Sequence, residues 1–209
     1  MKHLKLAVLL SGSGTTLENI FEHIEDGRLD AEVCLVVSSR AGAYGLKRAE
    51  KRGIVTHVVP SKKYVNIDEF SDRVTDALDC DTPDLILLAG FMCLYKVPDH
   101  YLGKIMNVHP ALIPMFAGKG FYGHHVHEAV LARGCKVTGC TVHFVDNVYD
   151  NGPIIMQQAV AVEDGDTPDT LAERVQAEER NIYPEAIRLF GEGRLAIEGR
   201  RVHILPPKT

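Results

Sequence analysis

Leu4-Lys5-Leu6-Ala7-Val8-Leu9-Leu10 runs directly into Ser11-Gly12-Ser13-Gly14-Thr15-Thr16, and this stretch decides the fold. The first segment is an apolar run, which is typical of a buried strand in a parallel sheet. The second is a glycine-rich loop, and residues 17–26 after it have the apolar spacing of a helix. A strand, a tight loop and a helix in this order predict the start of an α/β fold.

The rest of the chain continues this alternation. Predicted strands cover residues 31–38, 55–59, 85–89, 104–108, 136–145 and 153–162, and predicted helices cover 43–52, 67–78, 125–133 and 166–191, before a terminal hairpin at 195–204. Alternation over the first half implies an α/β domain with a mainly parallel, Rossmann-like sheet and helices on both faces. The later strands join in a long hairpin and predict an antiparallel extension near the C-terminus.

Composition is that of an ordinary globular protein. The chain has 209 residues, of which 45% are apolar and 24% charged, enough for one domain with a sizeable core. Lys and Arg number 23 against 28 Asp and Glu, and the net charge of −5 argues against nucleic-acid binding. No apolar run approaches the roughly 20 residues of a membrane span. The short run at residues 4–10 predicts a buried strand, because a glycine loop follows where a secretory signal would have its cleavage site.

Cysteine and histidine usage argues against a metal site. The five cysteines are Cys34, Cys80, Cys93, Cys135 and Cys140. Their odd number and scattered positions favour reduced thiols in the cytoplasm. His124, His125 and His127 invite a metal hypothesis, but Glu128 is the one carboxylate or cysteine at ligand spacing beside them. Positions i and i+2 do not share a helix face, so we expect no bound metal.

The loop at residues 11–16 is suited to a phosphate. Its backbone N–H groups would lie at the positive end of the following helix. Thr15 or Thr16 can cap that helix or donate to a phosphate oxygen. The loop lacks both the lysine of a P-loop and the glycine spacing of a dinucleotide fingerprint. A tight strand-to-helix turn with a threonine cap is the alternative interpretation.

Asn107-Val108-His109-Pro110 closes the strand predicted at residues 104–108. The i,i+2 spacing places Asn107 and His109 on the same face of an extended segment. Further along, Tyr149-Asp150-Asn151-Gly152-Pro153 holds a carboxylate in a Gly/Pro turn. His109 can protonate or hydrogen-bond a developing oxyanion, Asn107 can donate to the same oxygen, and Asp150 can orient and charge the imidazole. The trio suits acyl-type transfer without a serine or cysteine nucleophile, whereas a lone histidine is usually structural or exposed and a carboxylate in a Gly/Pro turn is usually a turn former.

A third loop, residues 90–95, stays apolar after it leaves the strand at 85–89. It can line a flat hydrophobic ligand pocket, or it can simply cap the core. Ligands of open α/β sheets bind at the carboxyl ends of the strands. We therefore expect the loops that begin at Ser11, Gly90 and His109 to converge at one edge of the sheet.

Taken together, these segments resemble the phosphoribosylglycinamide formyltransferases, the folate-dependent formyltransferases of purine synthesis, over nearly the whole chain. The matching segments are residues 9–14, 88–92, 107–114, 139–145, 150–155, 175–176, 179 and 182–184. The combination of Asn-x-His-Pro with Asp-x-Gly-Pro is specific to formyl-folate enzymes as a group. The glycine loop and the short chain narrow the resemblance to the glycinamide ribonucleotide enzymes.

The resemblance implies a role for each matching residue. Asn107 and His109 would bind the formyl oxygen and stabilise the tetrahedral oxyanion, while Asp150 would raise the pKa of His109 and order a water for proton transfer. The residues implied for phosphoribosylglycinamide are Gly14, Thr15, Thr16 and Glu179. Those implied for the folate are the backbone of Met92, Cys93, Leu94 and Tyr95, together with Asn107. Cys93 stands where many relatives carry arginine.

The implied reaction transfers the formyl group of 10-formyltetrahydrofolate, a co-substrate, to the primary amine of phosphoribosylglycinamide. The resemblance implies a single formyltransferase domain over residues 1–209. Its phosphate-binding half would be residues 1–100 and its catalytic and folate-binding half residues 101–209. We expect small-molecule substrates, no nucleic-acid or membrane partner, and a cytoplasmic monomer or homodimer.

Three other functions compete with this one. Formyltetrahydrofolate deformylase uses the same trio with water as acceptor, but carries an additional N-terminal domain for which a first strand near Lys5 is expected to leave no room. Methionyl-tRNA formyltransferase would need a C-terminal RNA-binding domain and a basic surface. A catalytically inactive nucleotide- or folate-binding module would have no need of Asn107, His109 and Asp150 together.

Overall fold

A computed structural model describes residues 3–207 of the chain. The chain divides into two compact units, Met1–Met106 and Asn107–Thr209. Every predicted strand and helix is present, with ends within two residues of those predicted. Among residues 3–207, no helix combines the length and the apolar character needed to cross a membrane.

The first unit alternates strands and helices. Its strands are β1 (Leu4–Leu10), β2 (Ala31–Ser38), β3 (Val55–Val58) and β4 (Leu85–Leu88), and its helices are α1 (Thr15–Glu25), α2 (Tyr44–Glu50) and α3 (Ile67–Asp79). Single turns of 3₁₀ helix lie at Ser61–Lys63 and Asp99–Tyr101. The strand order is β3-β2-β1-β4, and every pair in it is parallel.

The centre of this sheet is apolar because strands covered on both faces need no polar side chains. Leu6, Leu9 and Leu10 of β1 are fully buried, as are Leu85 and Leu87 of β4. The register pairs the end of β1 with the ends of both neighbouring strands. The carboxyl ends of β1, β2 and β4 therefore open at the same edge.

The first helix starts earlier than predicted. Thr15 and Thr16, expected in the loop, form the first turn of α1. Gly14 is the N-cap with φ 72°, and no side chain caps the helix. The alternative interpretation of this loop, a threonine cap, is therefore wrong, since a left-handed glycine ends the loop and neither threonine stands at the cap position.

Strand β5 (Ile105–His109) crosses the division between the units. The remaining strands are β6 (Val137–Phe144), β7 (Ile154–Ala161), β8 (Leu195–Glu198) and β9 (Arg201–Ile204), and the helices are α4 (His124–Ala132) and α5 (Pro168–Gly191). In the second unit β6 and β7 are antiparallel, β9 is parallel to β7, and β8 and β9 form the antiparallel terminal hairpin.

Helix α5 begins at a capping box followed by a proline in the first turn. Thr167 accepts from the backbone N–H of Thr170, whose hydroxyl in turn accepts from the N–H of Thr167. Pro168 occupies the first turn, where its missing N–H has no intrahelical partner to lose. The predicted start at Thr167-Pro168 is thus confirmed.

Candidate active site

Three polar side chains of the second unit lie around the carboxylate of Asp150. Together with Asp150 we call them the polar cluster: Asn107, His109, His143 and Asp150. Asn107 and His109 lie at the end of β5, and His143 lies near the end of β6. Asp150 lies in the turn between β6 and β7. His109 and His143 are buried, whereas Asn107 and Asp150 are half-buried. The structure therefore brings together the three residues that the sequence nominated.

Asn107 and His109 both approach the Asp150 carboxylate. Asn107 Nδ2 lies 3.4 Å from Oδ1 and His109 Nδ1 lies 3.5 Å from Oδ2. Both distances exceed those of a strong hydrogen bond. Catalytic hydrogen bonds are often long without substrate and tighten in the complex, so these distances are compatible with a catalytic role for Asn107 and His109.

His143 fixes the orientation of the Asn107 amide. Its Nδ1 lies 2.7 Å from the carbonyl of Phe144, which can only accept, so Nδ1 carries the proton. In this neutral tautomer Nε2 accepts from Asn107 Nδ2 at 3.2 Å. The amide NH₂ therefore faces the cluster and its second hydrogen is directed to Asp150.

Backbone groups of the 115–123 loop complete the cluster. His109 Nε2 donates to the carbonyl of Phe116 at 2.8 Å. The N–H of Gly118 donates to Asp150 Oδ2 at 2.9 Å. Phe116 and Gly118 both have positive φ, at 51° and 94°. The loop thus fixes the ring of His109 and the carboxylate of Asp150 through two backbone contacts.

Burial and charge act in opposite directions on the polar cluster. Burial lowers the pKa of His109 and outweighs the rise caused by the Asp150 carboxylate and the Phe116 carbonyl, so the net pKa lies below its ordinary value. Asp150 acts in the predicted direction, but it does not make the resting ring an imidazolium. For Asp150, burial raises the pKa, but His143, His109 and the N–H of Gly118 together hold it below its ordinary value.

The hydrogen bonds of the His109 ring indicate which nitrogen carries its proton in the absence of substrate. The Phe116 carbonyl places the proton of the neutral ring on His109 Nε2, which leaves a lone pair on Nδ1 facing Asp150. A proton taken up at Nδ1 would be stabilised by the ionised carboxylate. The pair can therefore accept one proton and then present it to a developing oxyanion.

The turn that carries Asp150 is tightly constrained. Asp150 has φ 50°, a left-handed conformation that few residues other than Gly, Asn and Asp adopt. Asp146 accepts from the N–H of Val148 and from Nδ2 of Asn151, each at 2.9 Å. Arg200, in the terminal hairpin, donates to the carbonyl of Asn151 at 2.6 Å. The turn is thus secured on both sides of the carboxylate.

A buried hydroxyl holds the segment that follows His109. Thr141 Oγ1 donates to the carbonyl of Ala111 at 2.7 Å and accepts from the N–H of Ile113 at 3.1 Å. Gln157 Nε2 donates to the same hydroxyl and to the carbonyl of Ile113, each at 3.0 Å. Three segments are therefore joined through one fully buried side chain.

Thr141→Val should destabilise the protein by about 1–3 kcal/mol, because it leaves the buried N–H of Ile113 without an acceptor and the buried carbonyl of Ala111 without a donor. The free energy of unfolding in urea measures this loss. Thr141→Ser keeps the hydroxyl and is the matched control, with a smaller loss expected. Equal stability of Thr141→Val and the unsubstituted protein would show that the hydroxyl contacts are not needed.

The predicted phosphate loop lies in the first unit, between β1 and α1. Its first residue, Ser11, receives an N–H from Met92 at 2.9 Å and lies 2.7 Å from the hydroxyl of Ser39. The N–H of Ser11 donates to the carbonyl of Gly90. The Ser11 and Gly90 loops therefore converge as predicted, while the expected convergence with the His109 loop stays a prediction.

The segment predicted to meet the folate, residues 92–95, is irregular backbone. The side chain of Tyr95 is buried and bonded to Thr75 at 2.8 Å, and burial raises the pKa of Tyr95 to about 12. Within residues 3–207, Cys93 and Leu94 form no hydrogen bond, so their backbone groups are free to meet a ligand. The geometry suits backbone recognition, with Tyr95 as an internal anchor.

Glu179 lies on α5 in the second unit and is half-buried. Burial raises its pKa to about 7, against a small lowering by Arg180. No hydrogen bond or ion pair satisfies its carboxylate among the described residues. Such a group gains most from a ligand that supplies a donor or a positive charge.

The three histidines of α4 differ in their exposure and in their partners. His124 lies 3.4 Å from Asp169, and His125 lies 3.2 Å from Glu128. His127 is buried, and burial, with His124 and His109, lowers its pKa to about 4. No group of three or more His, Cys, Asp or Glu side chains within residues 3–207 is placed to hold a metal ion.

Comparison with known proteins identifies the family. The family model described as formyl transferase matches residues 4–187. The chain belongs to the formyl transferase family. Phosphoribosylglycinamide formyltransferase of Escherichia coli is 34% identical over 98% of this chain and 97% of its own length. The Haemophilus influenzae enzyme of that name is 36% identical over 96% of this chain and 93% of its own length.

Solved formyltransferase structures share the fold. Glycinamide ribonucleotide transformylase 1 from Symbiobacterium toebii is 44% identical, with a TM-score of 0.91 and coverage of 99% of this chain and 96% of that one. Phosphoribosylglycinamide formyltransferase from Coxiella burnetii is 37% identical, with a TM-score of 0.86 and coverage of 97% and 94%. The predicted α/β class, with a mostly parallel sheet and antiparallel strands toward the C-terminus, is confirmed.

Other relatives differ in length or in sequence. The chain is 43% identical to the chicken trifunctional purine biosynthetic protein adenosine-3, of which it spans only 19%. A formyltetrahydrofolate deformylase from Pseudomonas syringae has a TM-score of 0.86 but only 20% identity, which is a likeness of fold alone. The comparisons therefore place this chain among the phosphoribosylglycinamide formyltransferases of the formyl transferase family.

Sequence reasoning did not assign roles to several groups at this formyl transferase site. His143 carries a usable signal, because it lies near the end of a strand with Thr141 at the i−2 position, as Asn107 precedes His109. The Phe116 carbonyl and the Gly118 N–H carry no such signal, since any residue type supplies a backbone group.

Proposed function

We propose that this chain transfers the formyl group of 10-formyltetrahydrofolate to the amine of 5'-phosphoribosylglycinamide. The products are N-formyl glycinamide ribonucleotide and tetrahydrofolate, in de novo purine biosynthesis. The convergence of Asn107 and His109 on Asp150 carries the proposal, because the trio can stabilise an oxyanion without a protein nucleophile. We place the activity in the cytoplasm, in keeping with five free cysteines.

The proposed chemistry follows from the polar cluster. The substrate amine attacks the formyl carbon, a C–N bond forms, and the carbonyl electron pair moves onto oxygen. Asn107 Nδ2 donates to this oxygen, and His109, once protonated beside Asp150, donates a second hydrogen bond. The proton lost by the amine passes through His109, Asp150 and an ordered water to N10 of the folate, whose bond to the formyl carbon breaks.

Substrate recognition is assigned to three further groups. Gly14, Thr15 and Thr16 at the start of α1 would hold the phosphate, because a helix N-terminus favours an anion. Glu179 would contact the glycinamide part, where a ligand donor would satisfy its carboxylate. The free backbone groups of Cys93 and Leu94 would meet the pterin.

Deformylation is the alternative for the same cluster, since water can replace the amine as acceptor. An assay of tetrahydrofolate release from 10-formyltetrahydrofolate, with and without phosphoribosylglycinamide, separates the two activities. We expect release only when the ribonucleotide is present. Equal release without the ribonucleotide would identify a hydrolase and overturn the proposed transfer.

A further inference from the structure

Arg48 of α2 lies against the phosphate loop. Its Nε donates to the carbonyl of Ser13 at 3.0 Å. A Cβ built on Gly14 would lie 3.4 Å from Arg48 Cδ and 2.6 Å from the Cα of Gly45. The start of α2 is also bonded to the loop, because the N–H of Gly45 donates to the carbonyl of Gly12 at 3.1 Å. Arg48 is thus held beside the last two residues before α1.

The contact with Ser13 sets the direction of a neighbouring donor. The carbonyl of Ser13 and the N–H of Gly14 belong to one planar trans peptide, so they point to opposite sides. Because Arg48 holds the carbonyl, the N–H of Gly14 is directed away from Arg48. Within residues 3–207 this N–H has no hydrogen-bond partner. The Gly14 N–H is therefore a donor with a fixed direction that is available to a ligand.

Arg48 also neutralises a carboxylate at the start of α1. Glu18 lies in the first turn, where its negative charge would compete with a bound phosphate for the helix N-terminus. Arg48 Nη1 lies 2.7 Å from Glu18, and Arg52 Nη2 lies 2.8 Å from its other oxygen. Arg52 also pairs with Glu25 at 2.8 Å. Two arginines thus neutralise two glutamates, so the negative charge of Glu18 competes less with an anion at the loop.

Aromatic contacts add to the placement of these arginines. The guanidinium carbon of Arg48 lies 5.1 Å from the centre of the Tyr44 ring, and that of Arg52 lies 4.3 Å from the Phe21 ring. Cation–π contacts at these distances restrict the guanidinium without adding charge. Arg48 differs from Arg52 in one respect that a test can use, because only Arg48 bonds the loop carbonyl.

We propose that Arg48 is a positioning residue for phosphate recognition: it aims the N–H of Gly14 and cancels the charge of Glu18, so that the loop presents donors to the substrate phosphate. The inference rests on the proposed function for the identity of the phosphorylated substrate. Arg48 itself is not assigned a contact with that substrate. Its loss should therefore weaken substrate binding without slowing formyl transfer at saturation.

Arg48→Met tests this role, because methionine keeps an unbranched stem but has neither the charge nor the donors. We expect the KM for phosphoribosylglycinamide to rise about tenfold or more, as for loss of a charged hydrogen bond. The kcat and the KM for 10-formyltetrahydrofolate should stay within about twofold. Arg52→Met is the matched control, and its KM increase should be clearly smaller because the Ser13 contact survives.

Glu18→Gln separates the effect of the Glu18 charge from the effect of the direction of the Gly14 N–H. Alone, it should leave the KM for the ribonucleotide within about twofold, and combined with Arg48→Met it should recover part of the lost affinity. An acceptor without the phosphate should show the same KM with Arg48→Met as with the unsubstituted enzyme. A fall in kcat with no change in KM, or equal KM increases for both acceptors, would overturn the role of Arg48.

Calorimetric titration of inorganic phosphate tests the same residue without turnover. We expect binding to weaken with Arg48→Met more than with Arg52→Met. Equal phosphate affinity in the unsubstituted protein and in Arg48→Met would contradict the inference. Because this measurement needs no formyl donor, failure of the proposed transfer reaction would leave its result interpretable.

Discussion

His109→Ala should lower kcat for formyl transfer by about 10²–10³-fold, the loss typical of one oxyanion donor. Removing the ring takes away a donor to the developing oxyanion and the group that exchanges a proton with Asp150. The KM of either substrate should change far less, because the contact strengthens only in the transition state. Steady-state kinetics with both substrates varied measure the separate effects.

Asp150→Asn should lower kcat by a similar order, and it is the better controlled substitution. Asparagine has the same shape and is among the few residues that adopt a positive φ readily, so the turn at φ 50° is retained. What is lost is the charge that stabilises a protonated His109. Near-normal turnover in either His109→Ala or Asp150→Asn would refute the assignment of the trio, provided that thermal unfolding shows an intact fold.

Gly152→Ala should lower both the stability and the activity of the protein. A Cβ at this position would lie 1.8 Å from the carbonyl oxygen of Phe144, a backbone atom that cannot rotate away. Overpacking of this kind typically destabilises by about 1–3 kcal/mol. The turn that presents Asp150 must also shift, so kcat should fall with stability. Urea unfolding and steady-state kinetics on the same preparation measure both.

Gly165→Ala is the matched control for this substitution. No atom lies within 4 Å of a Cβ built on Gly165, so neither stability nor kcat should fall measurably. Unchanged stability and turnover in Gly152→Ala would mean that the turn accommodates a side chain. The proposed link between the Phe144 contact and the placement of Asp150 would then be wrong.

The arrangement of strands was predictable because each one leaves a strong signal in the sequence. The apolar run of β1 and the fully apolar β4 need cover on both faces, and that need specifies a parallel sheet with helices between its strands. Thr167 and Pro168 predicted the start of helix α5. These signals are local, so a single sequence is sufficient to find them.

The start of α1 shows where local reasoning fails. The residue types at Thr15 and Thr16 favour a cap, but the left-handed Gly14 is the N-cap, and the loop ends two residues earlier than predicted. Gly14 also lies so close to Gly45, which is far along the chain, that a Cβ built on Gly14 would lie 2.6 Å from the Cα of Gly45. A contact of this kind cannot be deduced from residue spacing within the loop.

The polar cluster was predictable in its residues but not in its proton balance. The residue types of Asn107, His109 and Asp150 are typical of a site that stabilises an oxyanion, and the structure brings them together. The net lowering of the pKa of His109 depends on how deeply the ring is buried, which is a tertiary property. The backbone contacts from Phe116 and Gly118 depend on the path of the 115–123 loop and have no residue signature.

The most direct test follows the formyl carbon itself. The enzyme is incubated for a single turnover with 10-formyltetrahydrofolate labelled at the formyl carbon and with phosphoribosylglycinamide, and the products are separated. Transfer predicts that the label appears in the new amide of the ribonucleotide, with little in free formate. Label recovered chiefly as formate, with the ribonucleotide unlabelled, would contradict formyl transfer to the amine.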